Sequence, residues 1–287
     1  MRGLFRIGFV WAALGPLGCA STWDTIGNKS WQREFVKNPI RATVSPDDPL
    51  TILRDKPDDG EARAKAMRRL EEPVRNGGSQ DDQNEAIGYL KTGATLDPSP
   101  VVRAAAIDAL GRFEDPRVPE ILAAAFHQSD GPQEQRQADP RQPGMLSART
   151  GLFGPTGYSP EVATMLRIKT IDALAKTDRP EAVAFLAELA LPKPDVDPVE
   201  TRDVRVAAVR GLSTMHRAEA VTSLARVLSA EHGHDAAVVA RAHTGLVDLT
   251  GRNLPADPQQ WNEVVQAGFE MKPEPNAFQR AVDWIMP

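Results

Sequence analysis

Five windows of the chain place apolar residues at matching positions, counted back from a closing leucine. They are EARAKAMRRL ending at Leu70, VRAAAIDAL at Leu110, LRIKTIDAL at Leu174, VRVAAVRGL at Leu212 and VVARAHTGL at Leu246. Eight residues before the leucine stand Ala62, Val102, Leu166, Val204 and Val238, and three before it Met67, Ile107, Ile171, Val209 and His243. These positions share one face of a 3.6-residue helix. Four before the leucine the residue is small (Ala66, Ala106, Thr170, Ala208 and Ala242), which lets neighbouring helices approach closely. The leucines are 40, 64, 38 and 34 residues apart, and the interval of 64 holds about two dozen extra residues.

A second apolar stripe follows several of these leucines. After Leu110 come Glu114-Asp115-Pro116 and VPEILAAAF; after Leu174, Asp178-Arg179-Pro180 and EAVAFLAELAL; after Leu212, His216-Arg217 and AEAVTSLARVL. Asp suits the cap of a second helix and Pro its first turn, where N–H groups lack intrahelical partners. The predicted unit is helix, short turn, helix. The VRxAAxxAL core with its Asp-Pro turn resembles HEAT and HEAT-like repeats over roughly residues 60–250. That resemblance implies an all-α, right-handed α-solenoid of about five helical hairpins with an extended concave surface. A compact bundle of the same helices is the alternative packing. Near the end, Gly251 is placed to close a helix in the left-handed conformation. Asp257-Pro258 starts another helix carrying Trp261, Val264 and Val265, and Asn276 starts a last one with Phe278, Ala281, Val282 and Ile285 on one face.

Composition supports this packing. Aromatic residues are 6% of the chain and apolar residues 41%, so the core is built from Ala, Leu, Val and Ile. Net charge is −5, and loss of residues 1–18, with Arg2 and Arg6, takes it to −7. An acidic chain argues against nucleic-acid binding.

The first residues, MRGLFRIGFVWAALGPLGC, join two arginines to an apolar stretch too short for a bilayer span of about 20 residues. Cys19 is the chain's single cysteine and follows Leu17 and Gly18, so no disulfide forms within one chain. This start resembles a bacterial lipoprotein precursor, although Pro16 stands where that class usually has an aliphatic residue. The resemblance implies lipid on Cys19 and an exported, lipid-anchored protein facing the periplasm from the cell membrane or outer membrane. Together with the repeat and the LTGxN…DPxxW ending, the chain looks like bacterial HEAT-repeat lipoproteins of unassigned function. The expected organisation is a signal peptide over 1–18, a tether over 19–58, a solenoid over 59–250 interrupted by an insertion at 127–159, and capping helices over 251–287. In the tether Trp23, Trp31 and Phe35 interrupt a polar composition, for docking on the repeats or for the membrane interface.

Three features are candidates for chemistry. Seven residues before the leucine stand Arg63, Arg103, Arg167 and Arg205. They form either a ladder of hydrogen bonds between repeats or a row of guanidinium groups for an acidic partner. The insertion ends with Leu152, Phe153 and Tyr158 among glycines, as a binding loop or as apolar residues packed back on the solenoid. Glu231-His232-Gly233-His234-Asp235 is acidic and histidine-bearing, but histidines two apart do not share a helix face, so no metal or other cofactor is expected, and Asp235 reads as a helix cap. No nucleophile elbow, phosphate loop or dinucleotide fingerprint occurs. The expected function is a non-catalytic scaffold binding another envelope protein. The alternative is an envelope enzyme or enzyme subunit using the groove, as in HEAT-like lyases.

Overall fold

The computed structural model describes residues 48–131, 157–192 and 198–273, without the side chains of 198–201. The stretch expected to be a signal peptide, Cys19, most of the expected tether, Leu152, Phe153 and the helix expected after Asn276 lie outside the described residues. Among the described residues there are eleven α-helices, one short 3-10 turn at Val74–Asn76 and no strand. In chain order they are α1 (Pro49–Asp55), α2 (Gly60–Arg69), α3 (Gln80–Thr95), α4 (Pro100–Leu110), α5 (Val118–His127) and α6 (Pro160–Thr177). Then come α7 (Pro180–Ala190), α8 (Pro198–Thr214), α9 (Ala218–Glu231), α10 (Ala236–Thr250) and α11 (Pro258–Ala267).

The helices form two layers. α2, α4, α6, α8 and α10 pack side by side in that order, and α3, α5, α7, α9 and α11 form the second row. Each hairpin also leans on the next, α3 on α4, α5 on α6, α7 on α8 and α9 on α10. The fold is an α-solenoid of five HEAT-like helical hairpins, with α1 packed on α2 at its start.

The repeated sequence positions explain the layering. Each window is a first-layer helix, and its closing leucine is buried: Leu110, Leu174, Leu212 and Leu246 are fully enclosed and Leu70 nearly so. Full burial of such a side chain stabilises by about 1.5–3 kcal/mol. All five small residues four positions earlier are fully buried. The hydroxyl of Thr170 donates back to the Leu166 carbonyl at 2.8 Å, so it costs no unpaired polar group. Close approach between first helices is visible at Gly111, where an added Cβ would lie 3.0 Å from Ala173, and at Gly245, where it would lie 2.6 Å from Ser213 Cβ. Two window positions depart from the pattern: Ala62 and His243 are only half-buried.

Helix starts follow the expected chemistry at Asp59, Ser79, Ser159, Asp235 and Asp257, whose side chains accept from backbone N–H groups of the first turn. Gly251 closes α10 at φ 69°. The expected caps of the second helices differ. Arg117 and Arg179, not Asp115 and Asp178, occupy the cap positions of α5 and α7, and neither makes a side-chain cap bond. Asp178 instead ends α6 at φ 46°, the one non-glycine residue with positive φ among those described.

Boundaries also shift. α1 lies inside the stretch read as tether, and its Leu53 is buried in the core. α11 is the second helix of the fifth hairpin, with Trp261 fully buried and its indole N–H donating to the Pro255 carbonyl at 2.9 Å. Among the described residues no helix is long and apolar enough to cross a membrane.

Candidate functional site

The arginine column sits along the edge where one hairpin passes to the next. Arg63 on α2 donates to Asp97 at 2.5 Å, just beyond α3. Arg103 on α4 donates from Nε to the Asp97 carbonyl at 2.7 Å and from its terminal nitrogen to the Gln128 carbonyl at the end of α5. Arg167 on α6 reaches Asp130 at 2.7 Å, and Arg205 on α8 pairs with Glu231 at the end of α9. Arg103 and Arg205 are buried, Arg63 is largely covered, and Arg167 is the accessible member of the four. This geometry is the hydrogen-bond ladder of the two alternatives. The guanidinium groups of Arg103 and Arg205 are spent on the chain's own carbonyls and carboxylate and do not line an open surface.

The opposite edge carries a second ladder that sequence reading missed. Arg179 donates to the Glu114 carbonyl and Arg217 to the Asp178 carbonyl at 3.0 Å, each reaching the turn of the preceding hairpin. Arg117 reaches Asn84 on α3 at 3.0 Å, and Arg112 caps the end of α2 through the Arg68 carbonyl at 2.9 Å. The signal was present, since Arg117, Arg179 and Arg217 each stand immediately before a second helix. Arg117 also clamps the buried Asp115 carboxylate at 2.7 and 2.8 Å, with Gln83 adding a bond at 3.0 Å. Those hydrogen bonds, Arg117 foremost, hold the Asp115 carboxyl well below the usual carboxylate range.

The insertion leaves and re-enters the solenoid at one point. The Tyr158 N–H donates to the Asp130 carbonyl at 2.8 Å, bringing Gly131 and Gly157 together. The Tyr158 ring covers the Arg103 guanidinium at 5.3 Å, and its hydroxyl lies 3.0 and 2.9 Å from the Asp97 and Pro98 carbonyls. Burial pushes the phenol above its ordinary value. Of the three insertion candidates Tyr158 is therefore a clasp at the base. Residues 127–131 and 157–159, counted with the insertion by sequence, belong to the solenoid: Gln128 and Asp130 are the partners of Arg103 and Arg167.

His232 and His234 are exposed in the turn after α9. Asp235 caps α10 through Ala237 N at 2.9 Å and pairs with Arg202 at 2.9 Å, which holds its carboxyl below the ordinary value. No group of three metal-ligating side chains converges among the described residues.

An open groove lies on the second-helix layer between α7 and α9. One wall is Val183, Ala184, Ala187 and Leu191; the other is Thr222 and Ser223. Glu188, Glu219 and Arg226 edge it, and its volume is about 530 Å³. Small side chains on both helices create it, because Ala and Ser leave the two helical ridges apart at their outer rims. Such a groove has the size and lining to accept an apolar side chain or two from another molecule.

Residues 47–138 match the family model for HEAT repeats. The match covers α1 to α5, and the three later hairpins repeat the same two-layer arrangement outside it. HEAT repeats generally mediate protein–protein interaction, so the coarse reading of the chain is an interaction scaffold. No curated protein and no solved structure matches the chain.

Proposed function

We propose that this protein is a non-catalytic scaffold of the cell envelope, lipid-anchored through Cys19, that binds another envelope protein along its solenoid. The observation that carries the reading is the apolar groove between α7 and α9 on the second-helix layer, open among the described residues. A solenoid buries each repeat on its neighbours, which leaves the outer rims of its helices as the surface a partner can reach. Along the edges the arginines bond mainly to the chain itself, and Arg103 and Arg205 are buried in doing so. The lipid fixes location, and the solenoid selects the partner.

Affinity capture from detergent-solubilised envelope tests this. The baits are the full chain and a variant in which residues 132–156 are replaced by a short Gly-Ser link. The link spares Gln128, Asp130 and Tyr158, so both arginine contacts and the clasp survive. A protein held by both baits is the expected result. A partner lost with the deletion would move the binding site to the insertion. A chain that holds no envelope protein and instead turns over a small substrate would overturn the scaffold reading in favour of an enzyme.

A further inference from the structure

The junctions between hairpins are not equally tight. Among neighbouring first-layer helices the sparsest packing is that of α4 on α6, and among neighbouring second-layer helices it is that of α5 on α7. Packing between the layers follows the same order, since α5 leans on α6 less than α3 on α4, α7 on α8 or α9 on α10. All three observations place the weakest junction between the second and third hairpins. A repeat array is held together by contacts between neighbours, so it yields first where those contacts are fewest.

The bonds that cross this junction are unevenly placed. In the first layer Gly111 abuts Ala173, and Lys169 on α6 reaches Asp108 on α4 at 2.8 Å. Along the two edges Arg167 reaches Asp130, Arg179 donates to the Glu114 carbonyl, and the Tyr158 hydroxyl donates toward the Asp97 and Pro98 carbonyls. The Arg167 and Lys169 ion pairs are accessible to water, where such pairs hold weakly. The second layer contributes ring contacts instead. Phe185 on α7 meets Phe126 and His127, at the last turn of α5, edge to face with centroids 5.5 and 5.7 Å away.

We infer that the solenoid bends at this junction. The first-layer contact of Gly111 with Ala173 is the pivot, and the second layer opens between α5 and α7 as Phe185 parts from Phe126 and His127. Helices α1 to α5 and α6 to α11 then move as two arms about a hinge. The groove between α7 and α9 lies wholly in the second arm. Bending therefore changes the curvature that the array presents and leaves the groove intact. This goes beyond the scaffold reading and does not depend on it.

Double electron–electron resonance on the full chain tests this, with Cys19→Ser so that only introduced cysteines carry spin labels. Asp81, Glu181 and Gln259 are the second residues of α3, α7 and α11, and all three are exposed. The pair Asp81→Cys with Glu181→Cys spans the junction. The pair Glu181→Cys with Gln259→Cys spans as many hairpins without crossing it. The expected result is a broad distance distribution with a tail to longer distances for the first pair, and a narrow one for the second. Phe185→Ala should shift the first pair further outward and leave the second unchanged, which also shows that the second arm is still folded. Equal widths for the two pairs would overturn the inference. So would a Phe185→Ala variant that moves neither pair, or both alike.

Discussion

Replacing Arg205 with methionine should destabilise the solenoid more than any comparable change in the arginine column. Its side chain is 5% exposed and that of its partner Glu231 is 3% exposed, so the pair is out of water. Removing the guanidinium leaves a buried carboxylate without a counter-charge, a loss of about 3–5 kcal/mol. For a chain of this size each kcal/mol moves the melting midpoint by about 2–4 °C, so a fall of roughly 6–20 °C is expected. The pair itself is imperfect, because Arg205 Nε is buried without a partner. The double variant Arg205→Met, Glu231→Leu should therefore recover most of the loss, since both desolvated charges go together. Arg167→Met removes an accessible pair with Asp130, half-exposed at 52%, and should cost at most about 1 kcal/mol. Thermal melts followed by circular dichroism rank the four proteins. Hydrogen exchange locates the damage, which should fall on α8 and α9, because repeat arrays lose stability locally. A midpoint for Arg205→Met no lower than that for Arg167→Met would refute the ladder argument and return the column to a binding role.

Three further outcomes are expected. Gly131→Ala should cost more than about 1 kcal/mol, because φ is +90° there and the new Cβ would lie 3.0 Å from the Tyr158 ring; an unchanged melt would count against the clasp. Asp115 has a folded pKa below its unfolded value near 3.9, so its stabilisation is complete above that pH and lost as pH falls through it toward the folded value. The stability gap between wild type and Asp115→Asn should thus be widest between about pH 5 and 7 and shrink below about pH 4; a gap unchanged down to about pH 3 would contradict the assignment. Cys19→Ser should abolish lipid attachment, and continued fatty-acid labelling of that variant would refute the anchor.

The first layer was legible because one geometric demand recurs in every copy. Leu110, Ala106, Ile107 and Val102 are all fully buried, so a single apolar pattern repeats with little variation. The second layer was harder. α3 begins with QDDQNE and includes Gly88 and Gly93, so its stripe of Ala86, Ile87, Leu90 and Ala94 is masked by polar and small residues. Gly93 gives room there to the end of the Met67 side chain, whose methyl would lie 2.6 Å from an added Cβ, a contact no local pattern discloses. α1 was hidden for another reason: seven residues with one buried leucine carry too little periodicity to stand out from a tether.

The arginine column was visible as a column, but its destination was not. Its partners include the main-chain carbonyls of Asp97 and Gln128, and a carbonyl has no signature in sequence. The second arginine row was equally periodic and bonds mainly to carbonyls of Glu114, Asp178 and Arg68, for the same reason. The groove could not be read at all, since it is made by what Ala184, Ala187 and Ser223 fail to fill. Asp178 misled in a different way. Asp before Pro is a common helix cap, yet here the turn is so short that the residue must end α6 in the left-handed region.

Photo-crosslinking in intact cells tests the central claim most directly. A photoreactive residue is placed at Ala184 on the second-helix layer, and separately at the exposed Lys65 on the first. The account predicts a discrete protein adduct from position 184 and none from position 65. Adducts from position 65 alone would contradict it and place the partner on the opposite layer.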